Sequence, residues 1–143
     1  MPRLLFLNLP VTDLPASRAF FEQLGFEFNE KFCDDGAVCM IVSDKAYVML
    51  LARERFAEFV TKPVAEAERA AALTVAISAD DRDAVDAFVE RALSAGASPA
   101  KEPQDYGFMY QRSFHDLDGH HWEVAWMDPV AVAAGPAEFA EAN

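Results

Sequence analysis

Residues 7–13 read LNLPVTD and residues 75–81 read VAISADD, an offset of 68. Each is a β-prone apolar run that ends in aspartate, and each is followed by a helical pattern. After the first comes LPASRAFFEQLGF. Asp13 is its N-cap, Pro15 is tolerated in the first turn, and Gly25 stops the helix. Leu14, Phe20, Phe21 and Leu24 form its apolar face. The second helix is capped at Asp80 or Asp81, buries Val85, Phe88, Val89 and Leu93, and stops at Gly96. A second pairing matches DKAYVML (44–50) with DGHHWEV (118–124) at an offset of 74. The additional residues fall in the longer second helix and the loop after it.

Working outward, each half has the same order. The first has strands at 3–11, 26–32, 37–43 and 46–52, with the helix after the first strand. The second has strands at 72–78, within SPAKEP (98–103), at 108–116 and at 120–126. The turns SDK and DLDG separate the last two strands of each half. This predicts one α+β domain over 1–143, built from two β-α-β-β-β units near 3–52 and 72–127. Their curved mixed sheets are expected to form one cavity. Residues 53–71 read as a linker of one or two short helices broken at Pro63. The tail 128–143, rich in alanine and proline, reads as peripheral.

The bulk composition narrows the partners. With 143 residues, 52% of them apolar, the chain has material for a real core. A net charge of −12 disfavours nucleic acid and anionic lipid alike. No apolar run approaches the roughly 18–20 residues of a membrane span. The start, MPRLLFLNLPV, alternates like a strand and lacks the pattern of a signal peptide. Cys33 and Cys39 give no disulfide framework, so a reducing cytoplasm is the expected location.

Period-two alternation splits each strand into two faces. Leu5, Leu7 and Leu9 oppose Phe6 and Asn8; Val48 and Leu50 oppose Tyr47, Met49 and Leu51. In the second half, Leu73, Val75 and Ile77 oppose Thr74, Ala76 and Ser78. Trp122, Val124 and Trp126 oppose His121, Glu123 and Ala125. The apolar faces are expected under the helices and the mixed faces toward a small-molecule ligand. The candidate ligand-binding residues are therefore Phe6, Asn8, Tyr47, Met49, Thr74, His121 and Glu123, with Glu123 the candidate catalytic group. Arg112 joins them as a partner for Glu123 if its strand faces inward. Phe108, Tyr110, Arg112 and Phe114 share one side, and the alternation leaves either side open; otherwise Arg112 is a rim residue.

NLPVTDLPASRAFFEQLGF (8–26) resembles the usual opening, and DLDGHHWEVAW (116–126) the usual DPDG-x-x-x-E close, of the vicinal oxygen chelate superfamily. That superfamily contains glyoxalase I, bleomycin-resistance proteins and extradiol dioxygenases. The resemblance covers about residues 3 to 127 and is strongest to a bacterial lactoylglutathione-lyase-like branch. It implies a homodimer and a cavity for a small molecule. In metal-using relatives four inward positions supply the ligands, and the resemblance carries these onto Phe6, Met49, Thr74 and Glu123. Phenylalanine binds no metal, and a thioether suits Cu(I) rather than the harder divalent ions. No cofactor is therefore expected. A divalent metal held by Glu123 and His121, with His115 as a third ligand, is the alternative. Three functions are compatible with the resemblance. The first is a metal-free small-molecule binder or an enzyme of unassigned reaction. The second is a metal-dependent lactoylglutathione lyase, with Glu123 as base. The third is a drug-sequestering protein of the bleomycin-resistance type.

Overall fold

Asp13 and Asp81, one repeat apart, each adopt extended backbone and cap a helix. Their carboxylates accept from the N–H of Ala16 and Ala84 at 3.0 and 2.7 Å. Gly25 and Gly96 end the same two helices at φ of 95° and 118°, values costly for any other residue. In the computed structural model, which describes residues 3–135, the chain is α+β with two mixed sheets, neither closed on itself. It divides into two compact units between Ala70 and Ala71.

The first unit comprises β1 (Leu5–Val11), α1 (Leu14–Gln23), β2 (Glu27–Phe28), β3 (Ala37–Ile41), β4 (Ala46–Ala52) and α2 (Arg53–Ala57). A 3-10 turn, Glu30–Phe32, follows β2. The sheet order is β1-β4-β3-β2, with β1 parallel to β4 and the other pairs antiparallel. Leu9, Val11, Val48 and Leu50 are buried together with Leu14, Phe20 and Phe21 of α1. The second unit comprises β5 (Thr74–Ser78), α3 (Arg82–Ser94), β6 (Ser98–Pro99), β7 (Gln104–Asp105), β8 (Met109–His115), β9 (His121–Met127) and α4 (Pro129–Ala134). Its order is β5-β9-β8-β6, with β7 also paired to β8. Val75, Trp122, Val124 and Phe114 are buried, as are Val85, Val89 and Ala92 of α3. The Phe114 and Trp122 rings stack at 6.4 Å.

The register carries the repeat through. Leu7 pairs with Val48 in the first sheet and Val75 with Trp122 in the second, and these are counterparts at the offsets of 68 and 74.

Several expectations need correction. The alternation at 26–32 yields only the two-residue β2 before the chain tightens into the 3-10 turn, where Asn29 accepts from the N–H of Lys31. No second helix forms between 58 and 73, and α2 stops six residues before Pro63. β5 starts at Thr74 rather than 72. Leu5 and Leu73, placed on the core face by alternation, are 63% and 44% exposed. A ten-residue helix returns over about 15 Å of a strand about 23 Å long, so it leaves the start of β1 uncovered. Trp126 is half-buried, with the Arg82 guanidinium 5.1 Å above its ring. In the tail, Asp128 caps α4 and Ala131 is buried; the rest of the tail expectation, 136–143, lies outside the described residues.

Candidate functional site

The open face of the second sheet carries the paired histidine and glutamate. Pairing sets His121 between Thr74 and His115, and Glu123 between Ala76 and Ser113. The His115 and His121 rings meet edge to face at 5.6 Å. His121 Nε2 lies 3.3 Å from Glu123 Oε1, but the two are misaligned for a hydrogen bond, and among the described residues this buried nitrogen has no other partner. Glu123 borders a niche of about 10 Å³ with Gln104, Gln111 and Ser113, room for about one water. Thr74 is exposed.

Arg112 belongs to the opposite face. It pairs with Val124, so its side chain shares the helix-covered side with Phe114 and Tyr110. There it meets Asp86 at 3.1 Å and Glu90 at 2.9 Å, both on α3. Tyr110 donates to the same Asp86 at 2.7 Å. The expected pairing of Arg112 with Glu123 is therefore corrected. The long aliphatic stem packs in the layer between sheet and helix, and the guanidinium reaches out to two carboxylates.

The roomy site is on the first unit. A cleft of about 800 Å³ has Asn8, Met49, Leu51 and Ala37 as its floor. Asn8 and Met49 are register partners in β1 and β4, and Leu51 pairs with Ala37 of β3. Phe56, Phe59 and Val60 form one wall, beside Arg55. Lys31, Phe32, Cys33 and Asp34 form the other. Arg55 reaches across to Asp34 at 3.2 Å and is also 3.6 Å from Glu58. The N–H of Gly36 and the Arg55 guanidinium both stabilise the Asp34 carboxylate and hold its pKa below the ordinary range. Phe6 and Tyr47 share this sheet face but stack on each other at 5.2 Å, outside the cleft lining.

Of the residues expected from sequence, the structure brings Asn8 and Met49 together at the cleft, and His121 and Glu123 at the niche. The two cleft walls were missed. One signal for them is present: Phe56, Phe59 and Val60 have the i, i+3, i+4 spacing of a helical face within RERFAEFV (53–60). The other wall, in and after the 3-10 turn, has no periodicity to read.

The donor set does not suit the metal of the metal-using relatives. Phe6 and Thr74 offer no strong ligand, and Met49 offers only a thioether. Among the described residues no three His, Cys, Asp or Glu side chains converge as metal ligands, so His115, His121 and Glu123 do not form such a group.

The profile of the Glyoxalase/Bleomycin resistance protein/Dioxygenase superfamily matches residues 3–124, and the chain belongs to that superfamily. Comparison with curated proteins gives no significant match. Among solved structures, a hypothetical protein from S. aureus is 25% identical, with a TM-score of 0.75 over 88% of this chain and 95% of that one. A glyoxalase/bleomycin resistance protein/dioxygenase family enzyme from Burkholderia phytofirmans is 22% identical, with a TM-score of 0.73 over 88% and 99%. A lactoylglutathione lyase from Agrobacterium tumefaciens is 18% identical, with a TM-score of 0.65 over 88% and 94%. The last two likenesses are of fold. No helix among the described residues is long and apolar enough to cross a membrane.

Proposed function

We propose that this superfamily member binds a small organic molecule without a metal, in the cleft over Asn8, Met49 and Leu51. The observation that carries the reading is the cleft itself. Its volume of about 800 Å³ falls in the range of small-molecule sites, and its lining is mostly apolar with a few polar groups. The lyase reading is weaker on chemistry. Isomerising a hemithioacetal needs a polarised carbonyl and a base. Glu123 has the right chemistry for the base, but it borders a niche the size of one water. The positions that would hold a carbonyl-polarising metal carry Phe6, Met49 and Thr74.

The test is a thermal-shift screen of small organic molecules on chelator-treated protein. Compounds that raise the melting temperature are expected to act less on Met49→Trp, which pushes a larger ring up from the cleft floor, and to keep their effect on Glu123→Gln. Compounds that stabilise Met49→Trp as fully as the parent, or that act only after a divalent metal is added, contradict the reading.

A further inference from the structure

We propose that the cleft of the first unit takes an amphipathic anion: one apolar, ring-sized body carrying a single carboxylate- or sulfonate-like group, with that group at Lys31 and Arg55. The inference rests on the cleft being the binding site and adds the chemical class of its ligand.

The lining supplies the apolar half of the site. Met49 and Leu51 line the cleft from the sheet, and Phe32 and Phe59 line it from the segments after β2 and β4. These two phenylalanines are 66% and 73% exposed, among the most exposed large apolar side chains of the described residues. Exposed rings that line one cleft gain by covering an apolar body bound there.

The charged half decides the sign. Three charged side chains line the cleft: Lys31, Arg55 and Asp34. Asp34 is already occupied, by Arg55 at 3.2 Å and by the Gly36 N–H at 2.8 Å. Lys31 enters no ion pair among the described residues. Arg55 is balanced in turn by Asp34 and by Glu58 at 3.6 Å, which leaves Lys31 as the positive charge of the lining in a chain whose total is −12. A cationic ligand would meet the Lys31 ammonium and carboxylates already held by Arg55. An anion would meet an ammonium without a partner and a guanidinium held in place. The seat of that guanidinium is specific: a Cβ added at Gly36 would lie 2.6 Å from Arg55 Nη2. Only glycine at this position lets Arg55 lie where it does.

Two dyes that differ by one group test the assignment. 1-Anilinonaphthalene-8-sulfonate and N-phenyl-1-naphthylamine share an apolar body; only the first carries a sulfonate. Both are titrated by fluorescence into the full chain after chelator treatment, with circular dichroism and a thermal melt confirming that each variant is folded. The expected result is one-to-one binding of both dyes at low salt, with the sulfonate dye tighter by roughly tenfold or more. That preference should shrink as salt screens the charges. Lys31→Met should remove most of it and leave the neutral dye's affinity unchanged. Gly36→Ala, which displaces Arg55 without deleting a charge, should weaken it in part. Equal affinities, or a preference that survives Lys31→Met, overturns the charge assignment and leaves the cleft standing. Met49→Trp separates the two failures. If it binds both dyes as the parent does, the cleft is not the site and both readings fall. Dye uptake that drops as protein concentration rises would show a second copy of the chain covering the cleft, and would also overturn the proposal.

Discussion

The Asp116 carboxylate organises the turn before β9 from the inside. It accepts from the N–H of Asp118 at 2.9 Å, from that of His120 at 3.0 Å and from the Trp122 indole at 2.9 Å. Burial pushes its pKa up, while the neighbouring His120 and these three donors work the other way. Asp116→Ala would leave the buried indole N–H and two turn amides without their acceptor. Urea denaturation should show a loss of about 2–4 kcal/mol, with little change at the first-unit cleft. Arg112 makes the contrasting case. Arg112→Met keeps the stem and deletes only the pairing with Asp86 and Glu90, which are 48% and 64% exposed and so remain solvated. The expected loss is about 1 kcal/mol, with ligand affinity unchanged. If small-molecule binding fell with it, the placement of Arg112 on the helix face would be wrong. Sequence could show that Arg112 shares a side with Phe114, but not which side that is. A charged residue among aromatics reads equally well as rim or as buried stem, and only the partners on α3 resolve it.

At the scale of elements, the two long helices and the long strands were legible because each carries its own signal. Asp13, Gly25 and Gly96 mark helix ends, and Val48 with Leu50 or Trp122 with Val124 mark a buried face by alternation. β2, β6 and β7 have two residues each, too few for a period to exist, and β7 was not expected at all. What fixes β7 is tertiary. Arg82, at the start of α3, grips Asp105 of β7 at 2.6 and 3.0 Å and lies over the Tyr110 and Trp126 rings. The Arg82 guanidinium holds the Asp105 carboxyl below its ordinary pKa, with the Gly107 N–H assisting. The folded chain thus keeps Asp105 charged at a pH where the unfolded chain has protonated it. The stabilisation is present above the unfolded value and disappears as pH falls through the folded one. Asp105→Asn should therefore flatten part of the stability loss as pH falls below about 4, measured by urea unfolding at stepped pH. An unchanged slope would show that the pair has no thermodynamic effect.

For the molecule as a whole, the duplication was readable and the inequality of its halves was not. Asn8 with Met49 and Ala76 with Glu123 are counterparts by offset and by register. Alternation treats them alike, so Glu123, the only carboxylic acid among the four, takes the catalytic assignment. The difference arises in the segments packed beside the last strand of each unit. After β4 the chain turns into α2 and sets Phe56, Phe59 and Val60 beside Met49, making a wall. Around Glu123, by contrast, Gln104 and Gln111 fill the space, with Gln111 donating to Gln104 at 2.7 Å. That outcome depends on loop placement, which no local pattern encodes. Whether the ligand sits over Met49 and needs no metal can be read from NMR of the methionine methyl groups. Met49 reports on the cleft, Met40 on the buried core of the first unit, and Met109 and Met127 on the face that carries Glu123. Carbon-13-methyl-labelled, chelator-treated protein is titrated with the stabilising compounds from the screen. The Met49 methyl is expected to shift with saturation while Met40, Met109 and Met127 stay in place. Shifts at Met109 and Met127 with Met49 unmoved, or shifts that appear only after a divalent metal is added, would contradict it.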